Sequence, residues 1–111
     1  MTKPILLLDF RRVFLDARPV ITARSSKEAI KKLHTMEGQI DELWVDYELG
    51  PADNITALLD YLGLRAKIGS KYPLKRIVVH GPSEGGWQLL SAKLGRLGYS
   101  VVRGTVRDTL G

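Results

Sequence analysis

Asp9, Asp46, His80 and Arg103 share a position: each stands at the end of a short apolar run. Asp9 ends Pro4-Ile5-Leu6-Leu7-Leu8, and Asp46 ends Leu43-Trp44-Val45. His80 ends Ile77-Val78-Val79, and Arg103 ends Val101-Val102. Two carboxylates brought close together have three chemical uses. They hold a hard cation such as Mg²⁺, they divide into an acid and a base, or one of them attacks phosphorus. A histidine beside them moves protons, and an arginine pairs with phosphate or carboxylate. Taken singly, each residue has a plainer role. An Asp after a strand ends it in a turn, a His bonds locally, and an Arg is solvated. The chemistry therefore depends on whether the fold gathers them.

The remaining pattern argues that it does. Ile5–Leu8, Val20–Ala23, Ile40–Val45, Arg76–Val79 and Tyr99–Val102 read as strands, and continuous apolar runs of this length suit strands buried on both faces. Ser25 and Glu28 form a capping box before a helix carrying Ala29, Ile30 and Leu33, with Gly38 as its stop. Asn54 is placed to cap a second helix with Ile55, Leu58, Leu59 and Leu62 on one stripe, ending by Gly69. A third helix carries Trp87, Leu90, Leu94 and Leu97, with Gly98 as its stop. Residues 10–19 have no clear period and stand where a first helix would be, so that helix is reduced or absent. Residues 104–111 read as a fraying tail. The expectation is one α/β domain over residues 1–111. It is a flavodoxin-like, receiver-like three-layer architecture with a mostly parallel five-stranded sheet in the order 2-1-3-4-5 and helices on both faces.

In such a sheet the carboxyl ends of the strands line one edge, and ligands bind there at the switch point between the first and third strands. Asp9 and Asp46 flank that point. His80 opens the loop His-Gly-Pro-Ser-Glu-Gly-Gly, where Gly81, Gly85 and Gly86 permit close approach and the following helix offers N–H groups to an anion. Arg11 and Arg12 follow Asp9-Phe10 and either reach over the same edge or project to water, and Arg103 completes the rim. His34 lies on the polar side of the first helix and takes no role. Trp44 and Trp87 read as packing residues.

Bulk properties bound the partners. The chain has 111 residues and no cysteine, which excludes disulfides and thiolate metal sites and fits a cytoplasmic protein. No apolar run approaches the ~20 residues of a membrane span, and the run at Ile5–Leu8 is too short for a secretory signal. The net charge of +5 is spread along the chain with no basic run longer than two, so a nucleic acid is not the favoured partner.

Three stretches, LLLDFRR, DELWVDYELG and IVVHGPSEGG, resemble the motifs of the cyclic-phosphate processing receiver-like domain family, small domains of bacteria and their phages. That family's pattern is roughly a strand ending Leu-Asp-Asp-x-Arg, another ending Asp-His-Asp-Leu-Gly, and a third ending Val-His-Ser-Ala-Asn. Asp9, Arg12, Asp46, Leu49, Gly50 and His80 match it. Phe10 stands for an Asp, Tyr47 for a His, Glu48 for an Asp, and Gly81-Pro82-Ser83 for Ser-Ala-Asn. The resemblance spans residues 5–102 and implies phosphate chemistry on a nucleotide or cyclic phosphate. Asp9, Asp46 and His80 would be the catalytic groups. Arg12, Glu48, Gly81, Ser83 and Arg103 would be ligand contacts. Asp9 and Asp46 would bind Mg²⁺ weakly, because Phe10 removes one ligand and arginines balance the empty site. The alternative is an inactive pseudo-receiver that binds a protein, motivated by the aromatics Phe10 and Tyr47.

Overall fold

The apolar runs resolve into a parallel sheet in a computed structural model, which describes residues 3–9, 13–16, 18–46, 55–80, 84–104 and 109–110. The elements in chain order are β1 (Ile5–Leu8), β2 (Val13–Phe14), β3 (Val20–Ala23), α1 (Ser26–Thr35) and β4 (Glu42–Asp46). There follow α2 (Thr56–Lys67), β5 (Arg76–His80), α3 (Glu84–Arg96), β6 (Val101–Arg103) and β7 (Thr109–Leu110). Five strands form one parallel sheet in the order β3-β1-β4-β5-β6. Counted along the sheet's own strands this is 2-1-3-4-5, the flavodoxin-like order.

The local signals work as their chemistry demands. Ser25 caps α1, its hydroxyl accepting from the Glu28 N–H at 3.1 Å. Gly38 and Gly98, after α1 and α3, adopt φ of +85° and +90°, a region that glycine enters without a Cβ penalty. The α2 cap expected at Asn54 lies outside the described residues. No helix among the described residues is long and apolar enough to cross a membrane.

The layering departs from the expected one. All three helices share one side of the sheet. Ala29 and Leu33 of α1, Leu58 and Leu62 of α2, and Leu90 and Leu94 of α3 join a single core with Leu6, Leu8, Leu43, Val45, Ile77 and Val79. The connections explain it. The β3→β4, β4→β5 and β5→β6 crossovers all step in one direction along the sheet, and right-handed crossovers in one direction put their helices on one face. Only the β1→β3 step runs the other way. That step carries no helix among its described residues and holds β2 instead.

The opposite face, formed by alternate residues, is covered by a two-stranded antiparallel ladder. Val13–Phe14 of β2 pair with Thr109–Leu110 of β7. Of the stretch 104–111 expected to fray, residues 104 and 109–110 are described, and 109–110 gain a ladder across the chain, an interaction that no local signal encodes. Leu7, Phe14, Trp44 and Val78 form a small second core there. The Phe14 ring meets the Trp44 ring edge-on, with centroids 4.9 Å apart.

Candidate functional site

Register decides which strand-end residues meet. Leu8 pairs with Val45, and Asp46 pairs with His80. The Asp9 N–H continues the β1–β3 ladder by donating to the Ala23 carbonyl at 3.1 Å. Asp9, Asp46 and His80 therefore occupy one row across three adjacent strands at the carboxyl edge. They share the side-chain parity of Leu7, Trp44 and Val78, and so belong to the face opposite the helices.

All three are buried, with exposures of 1% for Asp9, 7% for Asp46 and 3% for His80. Each offers a ligand atom, and these atoms lie within 4.8 Å of one another. Asp9 Oδ2 lies 3.5 Å from His80 Nδ1, longer than an ordinary hydrogen bond. Two carboxylates and an imidazole removed from bulk water form a high-energy polar group, because desolvating each charge costs several kcal/mol, on the order of magnitude general to buried ions. The donor set of two oxygens and one imidazole nitrogen could hold a metal ion, and it could equally relay a proton.

The same row extends at both ends. At the β3 end, the residue following Ala23 is Arg24, whose Nη1 donates to the Asp9 carbonyl at 3.3 Å. At the β6 end, the residue after Arg103 is Gly104, whose N–H donates to the Val79 carbonyl at 2.9 Å. Gly104 lies close against the sheet. A Cβ there would stand 2.7 Å from Val78 Cγ1, 3.0 Å from Trp44 Cζ3 and 3.5 Å from His80 Cβ.

Arg103 stands beside this row rather than in it. It pairs with Val79, one residue before the row, and a one-residue offset in a strand turns a side chain to the other face. Its guanidinium packs 5.8 Å from the ring of Trp87 on α3. Arg24 takes the place in the row that Arg103 was expected to fill. The sequence held the signal: Arg24 follows the apolar run Val20–Ala23, as Asp9 follows Ile5–Leu8.

Arg11, Arg12, Glu48, Gly81 and Ser83 lie outside the described residues. Gly85, expected to permit close approach to a ligand, has open space around its Cβ position. Trp44 packs as expected and is 4% exposed. Its Nε1–H donates to Glu42 at 2.8 Å, and Glu42 also receives the Arg76 guanidinium.

Below the row, an open pocket of about 280 Å³ is lined by Arg18, Trp44, Arg76, Val78, Val102, Arg103 and Gly104. Arg18 stacks over the Phe14 ring at 4.2 Å and lies 5.6 Å from the Trp44 ring. It is held in place by Asp16, whose carboxyl drops to a pKa of about 2 through the side-chain hydrogen bonds from Arg18.

No family model matches the chain, and no curated protein or solved structure matches it.

Proposed function

We propose that this chain binds a phosphate-containing small molecule, a nucleotide or cyclic phosphate, at the carboxyl edge of its sheet. One observation carries the reading: Asp9, Asp46 and His80 are buried together in one row, at the switch point where parallel α/β sheets take their ligands. The motif resemblance to the cyclic-phosphate processing receiver-like family supports the same choice of ligand.

The group suits phosphate chemistry. Hydrolysis of a cyclic phosphate adds water to phosphorus and breaks one ring P–O bond. The attacking water gives up a proton and the leaving oxygen takes one. In this reading His80 and one carboxylate share those transfers, and Arg24, with Arg12, meets the phosphate oxygens. A divalent ion, when bound, would add polarisation of a phosphoryl oxygen. Mg²⁺ would find two oxygen donors at Asp9 and Asp46 and bind weakly.

The test is a panel of cyclic mononucleotides, cyclic dinucleotides and 2′,3′-cyclic phosphates, assayed for binding and turnover with and without divalent metal. Binding or turnover that disappears in Asp46→Asn and His80→Gln supports the proposal. No binding and no turnover across the panel overturns it.

A protein-binding role is the second reading. It is favoured by the exposed apolar side chains Val13, Leu15 and Val20, which cluster in sequence from β2 into β3. A partner that stays bound to Asp46→Ala but is lost from Leu15→Asp would select it over the first.

A further inference from the structure

The spacing within the buried row suits a particular class of ion. His80 Nδ1 and Asp9 Oδ2 lie 3.5 Å apart. A charge-assisted hydrogen bond between such groups would be shorter, about 2.7–2.9 Å. Two ligand atoms on a tetrahedral zinc-class ion, each at roughly 2.0–2.2 Å from the metal, stand about 3.4 Å apart. Two neighbouring ligands of an octahedral Mg²⁺ at about 2.0–2.1 Å would stand only about 2.9 Å apart. The Asp9–His80 separation fits the tetrahedral case. The ligand atoms of all three residues lie within 4.8 Å of one another, so the set would draw together around a bound ion.

Donor chemistry points the same way. Mg²⁺ prefers oxygen ligands and keeps several waters. Here one of three donors is an imidazole nitrogen, and all three residues are more than nine-tenths buried. Imidazole with carboxylate suits zinc, cobalt and their neighbours. Two carboxylates carry charge that a divalent ion cancels, so binding would relieve the cost of burying the acids together. Three protein ligands are also the number that leaves such an ion one open position.

We infer that Asp9, Asp46 and His80 form a three-ligand site for a zinc-class divalent ion, with His80 as the ligand that selects it over Mg²⁺. The inference uses the same side chains as the phosphate reading but does not depend on which ligand, if any, the edge accepts.

The chain makes a clean test. It has no cysteine and only two histidines, His80 in the row and His34 exposed on α1. Untagged, metal-stripped full-length protein is titrated with Zn²⁺, Co²⁺ and Mg²⁺ by calorimetry, and the Co²⁺ form is read by its visible d–d absorption. The expected result is one equivalent of Zn²⁺ or Co²⁺, bound at least roughly a hundred-fold more tightly than Mg²⁺, with the intense bands of a four-coordinate cobalt centre. His34→Gln should leave this unchanged. His80→Gln and Asp46→Asn should each weaken it at least roughly ten-fold, with circular dichroism confirming that both variants fold. Zn²⁺ affinity no better than Mg²⁺, or Zn²⁺ binding that survives His80→Gln and is lost in His34→Gln, overturns the inference. The cyclic-phosphate panel, run on metal-free protein, reports separately, so failure of either reading leaves the other identifiable.

Discussion

The two faces of one sheet divide the work of this protein. On the helix side, alternate residues of β1, β4 and β5 join a large hydrophobic core with all three helices, Tyr72 and Tyr99 among its members. The tyrosine hydroxyls are satisfied locally: Tyr72 donates to the Leu33 carbonyl, and Tyr99 donates to the Tyr72 carbonyl at 2.9 Å. On the other side, among the described residues, Leu7, Trp44 and Val78 of the same strands pack with Phe14 in a small core that gives way, at the carboxyl edge, to two acids and a histidine. A face covered by helices can bury large apolar area, and its stability is proportional to that area. A face covered by a two-stranded ladder buries less and leaves room for groups that would weaken a core. The strands are shared, so the stable face anchors the backbone that holds the polar row in register.

Substitutions should separate the two faces by size of effect. Leu43→Ala removes a fully buried side chain from the helix-side core and is expected to cost about 2–5 kcal/mol. Urea denaturation measures it, and a loss below ~1 kcal/mol would mean that this face is not the main source of stability. Gly104→Ala attacks the other face where it is tightest, forcing a methyl within 2.7 Å of Val78 Cγ1. The expected cost is roughly 1–3 kcal/mol, accompanied by a change in Trp44 fluorescence; an unchanged stability and spectrum would contradict the close packing there. Phe14→Leu keeps an apolar group but loses the edge-on contact with Trp44. A loss of about 0.5–1.5 kcal/mol is expected, small enough that metal or ligand binding at the row can still be measured in the variant.

The smallest effects are in the pH dependence, and they have opposite signs on the two faces. On the ladder side, hydrogen bonding from Arg18 lowers the Asp16 carboxyl from 3.8 to about 2. A depressed folded pKa stabilises the fold above the unfolded value, and that contribution is lost as pH falls from about 3.8 toward 2. Carboxyl NMR should show Asp16 titrating near 2 and moving up in Arg18→Ala. On the helix side, burial raises the Tyr72 hydroxyl from 10.0 to about 12. Its contribution is intact below pH 10 and is lost as pH rises toward 12. Ultraviolet titration of the phenolate checks this in wild type against Tyr72→Phe, which should lack the late-ionising component.

Much of this was legible in the chain itself. Strand runs, helix stripes, the Ser25 cap and the glycine stops all follow from local sterics and hydrogen bonding within a few residues, so the sequence carries them directly. The alternation of strands and helices then implies a parallel sheet and its order, and placing Asp9, Asp46 and His80 at strand ends was enough to predict that they meet. Tertiary structure decided the rest. That Arg24 and Gly104, rather than Arg103, complete the row depends on register, and one residue of offset reverses the face of a side chain without changing the apolar pattern. That the helices of the described residues share one face depends on the direction of each crossover along the sheet. That Thr109–Leu110 pair with Val13–Phe14 depends on an encounter between segments about a hundred residues apart, whose hydrogen bonds are made by backbone groups common to every sequence.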